Sequence, residues 1–419
     1  MRLHSHWGGA VFGRAKNLAR RFVGRRHLQS EYTLTLVGDT SLGDYFMRRY
    51  MDGCAVQRRL REAPLSFFGQ VRHLISGSSC LIANLETTLV SEIESPLKGQ
   101  KKHVIWDDPE RTAAALPKLG VQVVNLANNH AMDFGPDGLL QTIARLKASG
   151  FAVIGAGDCL RSASRPLRRT IRLGKGDKAL FFVSAYEYTR GYKERFNYYA
   201  TATSPGVYPL TKGAIARIER LRTEHPEALI VASPHWLQNY RWANKKEMDL
   251  SGALLDAGAD IVLGTGAHML GQCYYTQGGT VVTSLGDFIF NWPGFYRTHG
   301  APPFSLVARL EISLIANCWA SALKLYPIVT DNRLTGFKVQ PVSRAMIDTV
   351  YQLLCEHAPD MADFRDAFVC AKDKRGFHIR LTRPISPRFG LAPSSTSSAW
   401  EFQAGSGPKP EDRDRDRLI

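Results

Sequence analysis

The sequence predicts an α/β fold, a layered β-sandwich with helices on its outer faces, and three observations support this prediction. Short β-branched runs alternate with helical patterns over the first two thirds of the chain. From about residue 270 to 340, strand-like runs follow one another without a helix of useful length, which favours an antiparallel second half-sheet. The chain has 419 residues, of which 44% are hydrophobic, so it can bury a large core.

The individual elements follow from two periodicities. β-branched and apolar runs predict strands near residues 33–38, 80–84, 121–126, 151–154, 179–184, 228–232 and 260–263. Apolar residues at helical spacing predict helices near 55–62, 67–76, 109–118, 136–148, 211–223, 245–257 and 343–356. The strands of the second half-sheet are CYYTQ, TVVTSL, FSLVARLEI, CWASALKLYPIV and GFKVQPV.

The two ends of the chain differ from its centre. Residues 1–30 contain Arg and Lys but no acidic residue, so we predict a basic, disordered leader, with an amphipathic helix on an anionic membrane surface as the alternative. Residues 384–419 are rich in Pro, Ser and Gly, which predicts a disordered tail. The folded domain is therefore expected to span residues 31–383.

Charge and cysteine usage limit the class of protein. The net charge is +16, yet no basic motif is interleaved with aromatic residues, so we expect no nucleic-acid partner. No apolar run is long enough to span a bilayer, and the first residues lack the apolar centre of a secretory signal. The seven cysteines show no paired spacing, which predicts free thiols in a reducing compartment. We expect a cytoplasmic protein, with a peripheral place at the inner membrane face as the alternative.

Five apolar runs each end in a residue of metal-ligand type, and this pattern predicts the functional site. The residues are Asp39, Glu86, Asn129, His235 and His268. Ligands of open α/β sheets bind beyond the carboxyl ends of the strands, so we expect these side chains to converge. Taken singly, each is more often a turn residue, a solvated charge or a structural histidine. Together they form an oxygen and nitrogen set that suits a divalent metal ion.

The turn after VVNLA supplies the catalytic candidates. His130 and Asp133 lie in a dense polar turn, NNHAMDFGPDG, of the kind in which functional residues occur. Because an imidazole titrates near neutral pH, we predict that His130 is a general acid or base beside the metal.

The order and spacing of these motifs resemble the CapA-type proteins linked to poly-γ-glutamate and capsule synthesis, which have a calcineurin-like metallophosphatase fold. The matching stretches are GDTSLGD, NLETTL, KKHVIW, VVNLANNHAMDFGPDGLLQTIARL, HWLQNY, LLDAGADIVLGTGAHML and VVTSLGDFIFN. The resemblance extends from about residue 33 to 291. It implies one or two divalent ions (Mn, Mg, Fe, Zn or Ca) held by the five strand-end residues.

The resemblance also implies substrate contacts. Lys101, Lys102 and His103 are expected to bind an anionic substrate, with a solvated loop as the equal alternative. We further expect Asn128 and Trp236 to contact the substrate.

Several positions depart from the family pattern. Many members have a second histidine close to the one that corresponds to His268, but here the preceding residues are Gly264, Thr265, Gly266 and Ala267, which argues against a full two-metal site. Leu237 and Asn239 replace a glycine and a glutamate, and Asp287 replaces an asparagine. A metal-ligand set with so few histidines argues against a fast general phosphatase.

Three hypotheses follow. The first is a metal-dependent hydrolase or transferase that acts on an anionic polymer, a peptide or a phosphoester. The second is a peptide-modifying enzyme, such as an epimerase, of a ribosomal-peptide pathway. The third is a non-catalytic accessory subunit of a polymer synthase complex.

Overall fold

The computed structural model describes residues 31–389 except 92–93, 175 and 317. It confirms the prediction of a mixed α/β fold. The strands are β1 (Glu31–Ser41), β2 (Cys80–Leu85), β3 (Thr88–Leu89), β4 (Trp106–Asp107), β5 (Val123–Asn125), β6 (Ala152–Ile154), β7 (Ala156–Gly157), β8 (Leu167–Leu173), β9 (Gly176–Glu187), β10 (Gly206–Val207), β11 (Pro209–Leu210), β12 (Leu229–His235), β13 (Ile261–Leu263), β14 (Cys273–Thr276), β15 (Gly279–Val282), β16 (Asp287–Phe290), β17 (Phe304–Ile315), β18 (Cys318–Val329), β19 (Gln340–Pro341), β20 (Phe368–Asp373) and β21 (Gly376–Leu381).

Helices connect most of these strands. They are α1 (Asp44–Tyr50), α2 (Ala55–Glu62), α3 (Arg72–Ile75), α4 (Pro109–Lys118), α5 (Gly135–Ala148), α6 (Leu160–Ala163), α7 (Arg190–Phe196), α8 (Lys212–Glu224), α9 (Lys245–Asp256), α10 (Tyr296–His299), α11 (Asn332–Thr335), α12 (Arg344–Glu356) and α13 (Met361–Ala367). A 3-10 turn spans Pro64–Phe68.

The first large sheet has the order β20-β21-β18-β17-β1-β2-β5-β6. Its centre is parallel, because β1 pairs in parallel with β2 and with β16, and β2 pairs in parallel with β5. The long β17–β18 hairpin joins this sheet by antiparallel pairing of β17 with β1. The parallel strands therefore bring the carboxyl ends of β1, β2 and β5 to one edge of the sheet.

The second large sheet has the order β11-β9-β12-β13-β15-β14, and β8 pairs with β9. Strands β9, β12, β13 and β15 are parallel, whereas β14 and β8 are antiparallel to their neighbours. The antiparallel pairing expected for residues 270–340 is confirmed for β14 with β15 and for β17 with β18, but the two hairpins belong to different sheets. The hairpin β14–β15 extends the second sheet, while β17 and β18 extend the first.

Side chains from both sheets form one hydrophobic cluster. Leu34 and Ile82 of the first sheet belong to the same cluster as Phe182, Val231 and Leu263 of the second. Because successive side chains of a strand alternate between its two faces, the other faces of the sheets remain for the helices.

Two further hydrophobic clusters, one for each sheet, connect the sheets to the helices. Val124 of β5 shares a cluster with Leu116 of α4 and Leu139 of α5. Val262 of β13 shares another with Ile218 of α8, in the second sheet. The strands that carry the predicted site residues are therefore packed on both sides.

Two predicted elements are wrong in extent. The helix expected at 67–76 is replaced by the 3-10 turn and the one-turn helix α3, because Gly69 separates them and Gly77, at φ 68°, ends the segment. Only Gln340–Pro341 of GFKVQPV is a strand, since Gly336 and Phe337 both have positive φ and form a turn.

The C-terminal boundary also shifts. Ile385 and Phe389 are buried, although the tail was predicted to begin at residue 384. Ser386 Oγ donates to Asp260 Oδ1 at 2.6 Å, and Thr280 Oγ1 donates to the carbonyl of Ile385 at 2.9 Å. The packed chain therefore continues to Phe389. The leader and the remainder of the predicted tail, 390–419, lie outside the described residues.

Two further sequence expectations concern the cysteines and membrane spans. All seven cysteines are free, with Cys318 exposed and Cys80, Cys273 and Cys355 buried. None of the helices within the described part of the chain combines the length and hydrophobicity that a membrane span requires.

Candidate metal centre

The strand-end residues of the two sheets lie together in the structure. Asp39 belongs to β1, Glu86 follows β2, and Asn129 lies in the loop after β5. His235 ends β12, and His268 lies in the loop after β13. Asp39, Glu86 and His268 each offer a ligand atom, and these atoms lie within 4.8 Å of one another.

Glu86 has the least satisfied side chain of the site. Its carboxylate is fully buried, and neither oxygen accepts a hydrogen bond from any described residue. Oε1 lies 3.8 Å from His130 Nε2 and 4.0 Å from both His235 Nε2 and His268 Nε2. Burial and the negative charge of Asp39 raise the pKa of Glu86 well above its usual value. This carboxylate is therefore surrounded by nitrogen atoms but bound to none.

Asp39 is held in place by donors from several elements. Oδ1 accepts from Asn84 Nδ2 at 2.8 Å, and Oδ2 accepts from the backbone N–H of Gly266 at 3.1 Å. Burial alone would raise its pKa, but the hydrogen bond with His268 and the positive charge of that ring lower it. Asp39 therefore carries its negative charge in the buried site.

His268 is oriented by a second carboxylate. Its Nδ1 lies 2.8 Å from Asp287 Oδ1 and 3.4 Å from Asp39 Oδ2. The other oxygen of Asp287 accepts from Tyr296 OH at 3.0 Å. Burial alone lowers the pKa of His268, but the charges of Asp287 and Glu86 outweigh it and raise that pKa well above its usual value. With Nδ1 bound to Asp287, Nε2 faces Glu86, which is the arrangement of a metal-ligating histidine with a carboxylate behind it.

A hydrogen bond connects His235, at the end of β12 in the second sheet, to Asn129, in the loop after β5 of the first sheet. His235 Nε2 lies 2.8 Å from Asn129 Oδ1, and His235 Nδ1 lies 2.9 Å from Thr265 Oγ1. Burial lowers the pKa of His235 to about 3, so the ring is neutral at pH 7. A neutral imidazole and an amide oxygen are both competent metal ligands once their mutual hydrogen bond is exchanged.

His130 belongs to a buried chain of charged groups. Its Nδ1 lies 2.6 Å from Asp133 Oδ2, which also accepts from the backbone N–H of Ile105 at 2.6 Å. Lys101 Nζ donates to Asp133 Oδ1 and to the carbonyl of Asn129, and lies 3.2 Å from His130 Nδ1. Burial and the positive charge of Lys101 lower the pKa of His130 to about 4. The ring is neutral, and its Nε2 points towards Glu86.

Lys101 has different partners from those we expected. Its side chain is 9% exposed, and its ammonium donates to Asp133 and to the carbonyl of Asn129, so it ties together the loop that carries these two residues. Lys102, the next residue, is exposed. His103 is partly buried, and its Nδ1 has no hydrogen-bond partner among the described residues.

The two other residues expected to contact the substrate are buried and hydrogen-bonded. Trp236 is 1% exposed, and its indole N–H donates to the carbonyl of Thr283 at 2.7 Å. Asn128 is fully buried. Its Nδ2 donates a hydrogen bond to the carbonyl of Leu85, and its Oδ1 accepts one from the backbone N–H of His130. Their substrate contacts stay a prediction.

Two residues that support the site, Asn84 and Tyr296, are not among the predicted site residues. Asn84 bridges strands because it donates to Asp39 and accepts from Asn125 Nδ2 at 3.1 Å. Its position at the end of β2, one residue before the loop that carries Glu86, was a usable signal. No sequence signal indicates the contact between Tyr296 and Asp287, since the tyrosine lies in a separate short helix, α10.

The chain is similar to known proteins of one kind. The model of the family described as "Bacterial capsule synthesis protein PGA_cap" matches residues 33–292. The PGA biosynthesis protein CapA of Bacillus subtilis (strain 168) is 26% identical over 268 residues, which cover 64% of this chain and 66% of that protein. The capsule biosynthesis protein CapA of Bacillus anthracis is 25% identical over 282 residues, which cover 65% of this chain and 63% of that protein.

A third relative has a different description. The "Probable polyglutamine synthesis accessory protein" of Mycobacterium tuberculosis (strain ATCC 25618 / H37Rv) is 28% identical over 222 residues, covering 51% of this chain and 56% of that protein. The chain spans less than two thirds of the length of each of these relatives.

Proposed function

Because the chain belongs to the family of bacterial capsule synthesis proteins, we propose that it is a metal-dependent enzyme of capsule or poly-γ-glutamate biosynthesis. The observation that carries this proposal is the buried Glu86 carboxylate, whose two oxygens have no hydrogen-bond partner among the described residues. An isolated buried carboxylate is costly, and metal coordination is one of the few ways to offset that cost. The metallophosphatase-like layered sandwich is part of the same proposal.

The donor set fits a divalent cation. We assign Asp39, Glu86 and His268 as its first ligands, with His235 and Asn129 as further ligands. Carboxylate, imidazole and amide donors suit Mn²⁺, Fe²⁺, Zn²⁺ or Mg²⁺. A bound cation would supply Lewis acidity, which polarises a carbonyl or phosphoryl oxygen.

One ion is favoured over two by the packing at Gly266. This residue has φ 101°, and a Cβ added there would overlap the carbonyl oxygen of Trp236 and lie 3.0 Å from His235 Nε2. The loop after β13 therefore contributes one imidazole, that of His268, and has no space for a second at Gly266.

His130 is the proton acceptor in this proposal. Its Nδ1 is bound to Asp133, so a neutral ring presents an unprotonated Nε2 towards Glu86. Asp133 and Lys101 are positioning residues, since they fix the ring from the side opposite to the metal ligands. A base beside a Lewis acid suits hydrolysis or transfer at an amide or phosphoester bond.

The test compares the reaction of the parent with that of one variant, His130→Asn. Metal-reconstituted protein is incubated with poly-γ-glutamate, with a glutamyl peptide and with a phosphoester, and products are followed by mass spectrometry. We expect His130→Asn to retain the metal but lose about 10²–10⁴-fold in rate, as is usual for a general base. Turnover that is unchanged in His130→Asn, or in metal-free protein, would contradict the proposal.

The same neutral base supports the epimerase as a second candidate. Removal of a Cα proton next to a polarised carbonyl needs an unprotonated Nε2, which His130 presents. Deuterium uptake from D₂O into a glutamyl peptide without bond cleavage would favour this candidate. The accessory-subunit alternative predicts neither cleavage nor deuterium uptake.

A further inference from the structure

Asp107, at the end of β4, is a fully buried carboxylate that the proposed function does not use. Among the described residues, no cationic side chain pairs with it, and its partners lie instead in the turn between β1 and α1. This side chain therefore joins the β3–β4 segment to the end of the strand that carries Asp39.

Both oxygens of Asp107 accept hydrogen bonds from successive residues of that turn. Oδ2 accepts from the backbone N–H of Leu42 at 2.7 Å and from Ser41 Oγ at 2.9 Å. Oδ1 accepts from the backbone N–H groups of Gly43 at 2.8 Å and of Asp44 at 3.0 Å. Without this carboxylate, three backbone N–H groups of the turn would lose their acceptor.

The turn continues directly from the strand of a proposed metal ligand. Asp39 lies two residues before Ser41, and both belong to β1. Along this stretch β1 pairs in parallel with β16, with Asp39 opposite Asp287. Because Asp107 fixes the turn, it also fixes the end of β1 from which the Asp39 carboxylate projects.

The same segment is bonded to the loop of the proposed base. Two residues before Asp107, the backbone N–H of Ile105 donates to Asp133 Oδ2 at 2.6 Å, and this oxygen also lies 2.6 Å from His130 Nδ1. Thr88 strengthens the connection, because its N–H donates to the carbonyl of Ile105 at 3.3 Å and its Oγ1 to the carbonyl of His130 at 2.8 Å. The segment 105–107 is therefore bonded to β1 at one end and to the His130 loop at the other.

A carboxylate is the side chain that this turn requires. Every partner of Asp107 donates, so both of its oxygens must accept. An asparagine would place its NH₂ group against at least one backbone N–H in either orientation of the amide. Burial and the negative charge of Asp44 raise the pKa of Asp107 to about 7, whereas its hydrogen-bond donors lower it.

We propose that Asp107 is a positioning residue that sets the place of the metal ligand Asp39 relative to the base His130. The inference rests on the proposed function for the roles of Asp39 and His130. It assigns to the segment 105–107 the task of holding the two halves of the site in register.

The test compares Asp107→Asn with a matched control, Asp260→Asn. Asp260 is also fully buried, and it accepts from the backbone N–H of Ile230 at 2.8 Å and from Ser386 Oγ at 2.6 Å. It precedes β13, whereas His268 follows that strand, so it lies at the opposite end from the site. The control therefore disturbs a buried carboxylate without touching the proposed positioning.

Two readouts go beyond stability. Titration calorimetry with Mn²⁺ measures metal affinity, which we expect to fall by about 10–100-fold in Asp107→Asn, as for other changes behind the ligands, and by less than about twofold in Asp260→Asn. Imidazole nitrogen NMR of the metal-free proteins measures the surroundings of His130, whose resonances His130→Asn identifies. We expect these resonances to move in Asp107→Asn and to stay in place in Asp260→Asn.

The NMR readout keeps this inference separate from the proposed function. A parent protein that binds no metal would contradict the proposed function, and the resonances of His130 would then decide on Asp107. Equal changes in both variants, or none in Asp107→Asn, would overturn the inference. Should Asp107→Asn fail to fold, Ser41→Ala removes one donor and is expected to weaken metal binding by about threefold and to move the same resonances. Unchanged affinity and resonances in Ser41→Ala would overturn it as well.

Discussion

Glu86 is the residue on which the assignment of a metal site depends most. A carboxylate with no donor, enclosed by the imidazoles of His130, His235 and His268, is unfavourable unless it is protonated or bound to a cation. The neighbouring Asp39 shows the contrast, because its oxygens accept from Asn84 and Gly266. The difference between these two carboxylates is the physical basis for assigning a metal ligand.

Metal binding should release protons. The pKa values of Glu86 and His268 are raised well above their usual values, so the metal-free site keeps its protons to a higher pH than free side chains would. A cation must displace them, and its affinity should therefore increase as pH rises towards those raised pKa values. Isothermal titration calorimetry in buffers of different ionisation enthalpy measures the protons released. A binding enthalpy that is independent of the buffer would contradict this expectation.

The buried pair of Lys101 and Asp133 should contribute to stability. Asp133→Asn leaves the Lys101 ammonium buried without its counter-charge, which should lower the free energy of unfolding by about 3 kcal/mol. Urea unfolding measures the change. Adding Lys101→Met to this variant should recover part of the loss, whereas purely additive effects would show that the two groups do not interact. Asp249→Asn, in an exposed pair with Lys245, is the control and should have little effect.

At the scale of elements, the site depends on a close approach between β1 and β16. Gly38 precedes Asp39, and Gly286 precedes Asp287. A Cβ added at Gly38 would overlap the carbonyl oxygen of Gly286, whose neighbour Asp287 pairs with Asp39. Two carboxylates that face His268 are thus placed by a contact that only glycine permits.

Gly38→Ala should therefore weaken metal binding without changing any ligand. The two strands must separate, which displaces Asp39 and Asp287, and we expect metal affinity to fall by about 10–100-fold, as for other changes behind the ligands. Titration calorimetry measures the affinity. Gly191→Ala is the control, because an added Cβ there meets no atom within 4 Å. Equal metal affinities for both variants and the parent would show that the close contact between Gly38 and Gly286 does not position the ligands.

For the whole molecule, the parallel strands and the ends that carry Asp39, Glu86 and His268 could be predicted from sequence. Apolar runs mark buried strands, and a polar residue after such a run marks a sheet edge. Parallel pairing explains why Asp39 and Glu86 converge, whereas His268 joins them through the packing of the second sheet on the first.

Other features depend on tertiary packing that local patterns do not encode. The strand β8, LRRTIRL, alternates charged and apolar residues and was missed among the basic segments. Trp236, which we expected to contact the substrate, is buried in the core. The partners of Lys101 could not be foreseen, since its contact with Asp133 spans 32 residues of chain.

The central claim is that Glu86 belongs to a metal centre. Its most direct test is the metal content of purified parent, Glu86→Gln and Glu187→Gln protein, measured by inductively coupled plasma mass spectrometry after incubation with Mn²⁺, Fe²⁺ or Zn²⁺ and desalting. Glu187 is the matched control, a buried strand-end glutamate whose oxygens bond Leu237 and Lys246. We predict near-stoichiometric metal in the parent and in Glu187→Gln but not in Glu86→Gln. Metal content that is equal in all three proteins, or absent from the parent, would contradict the claim.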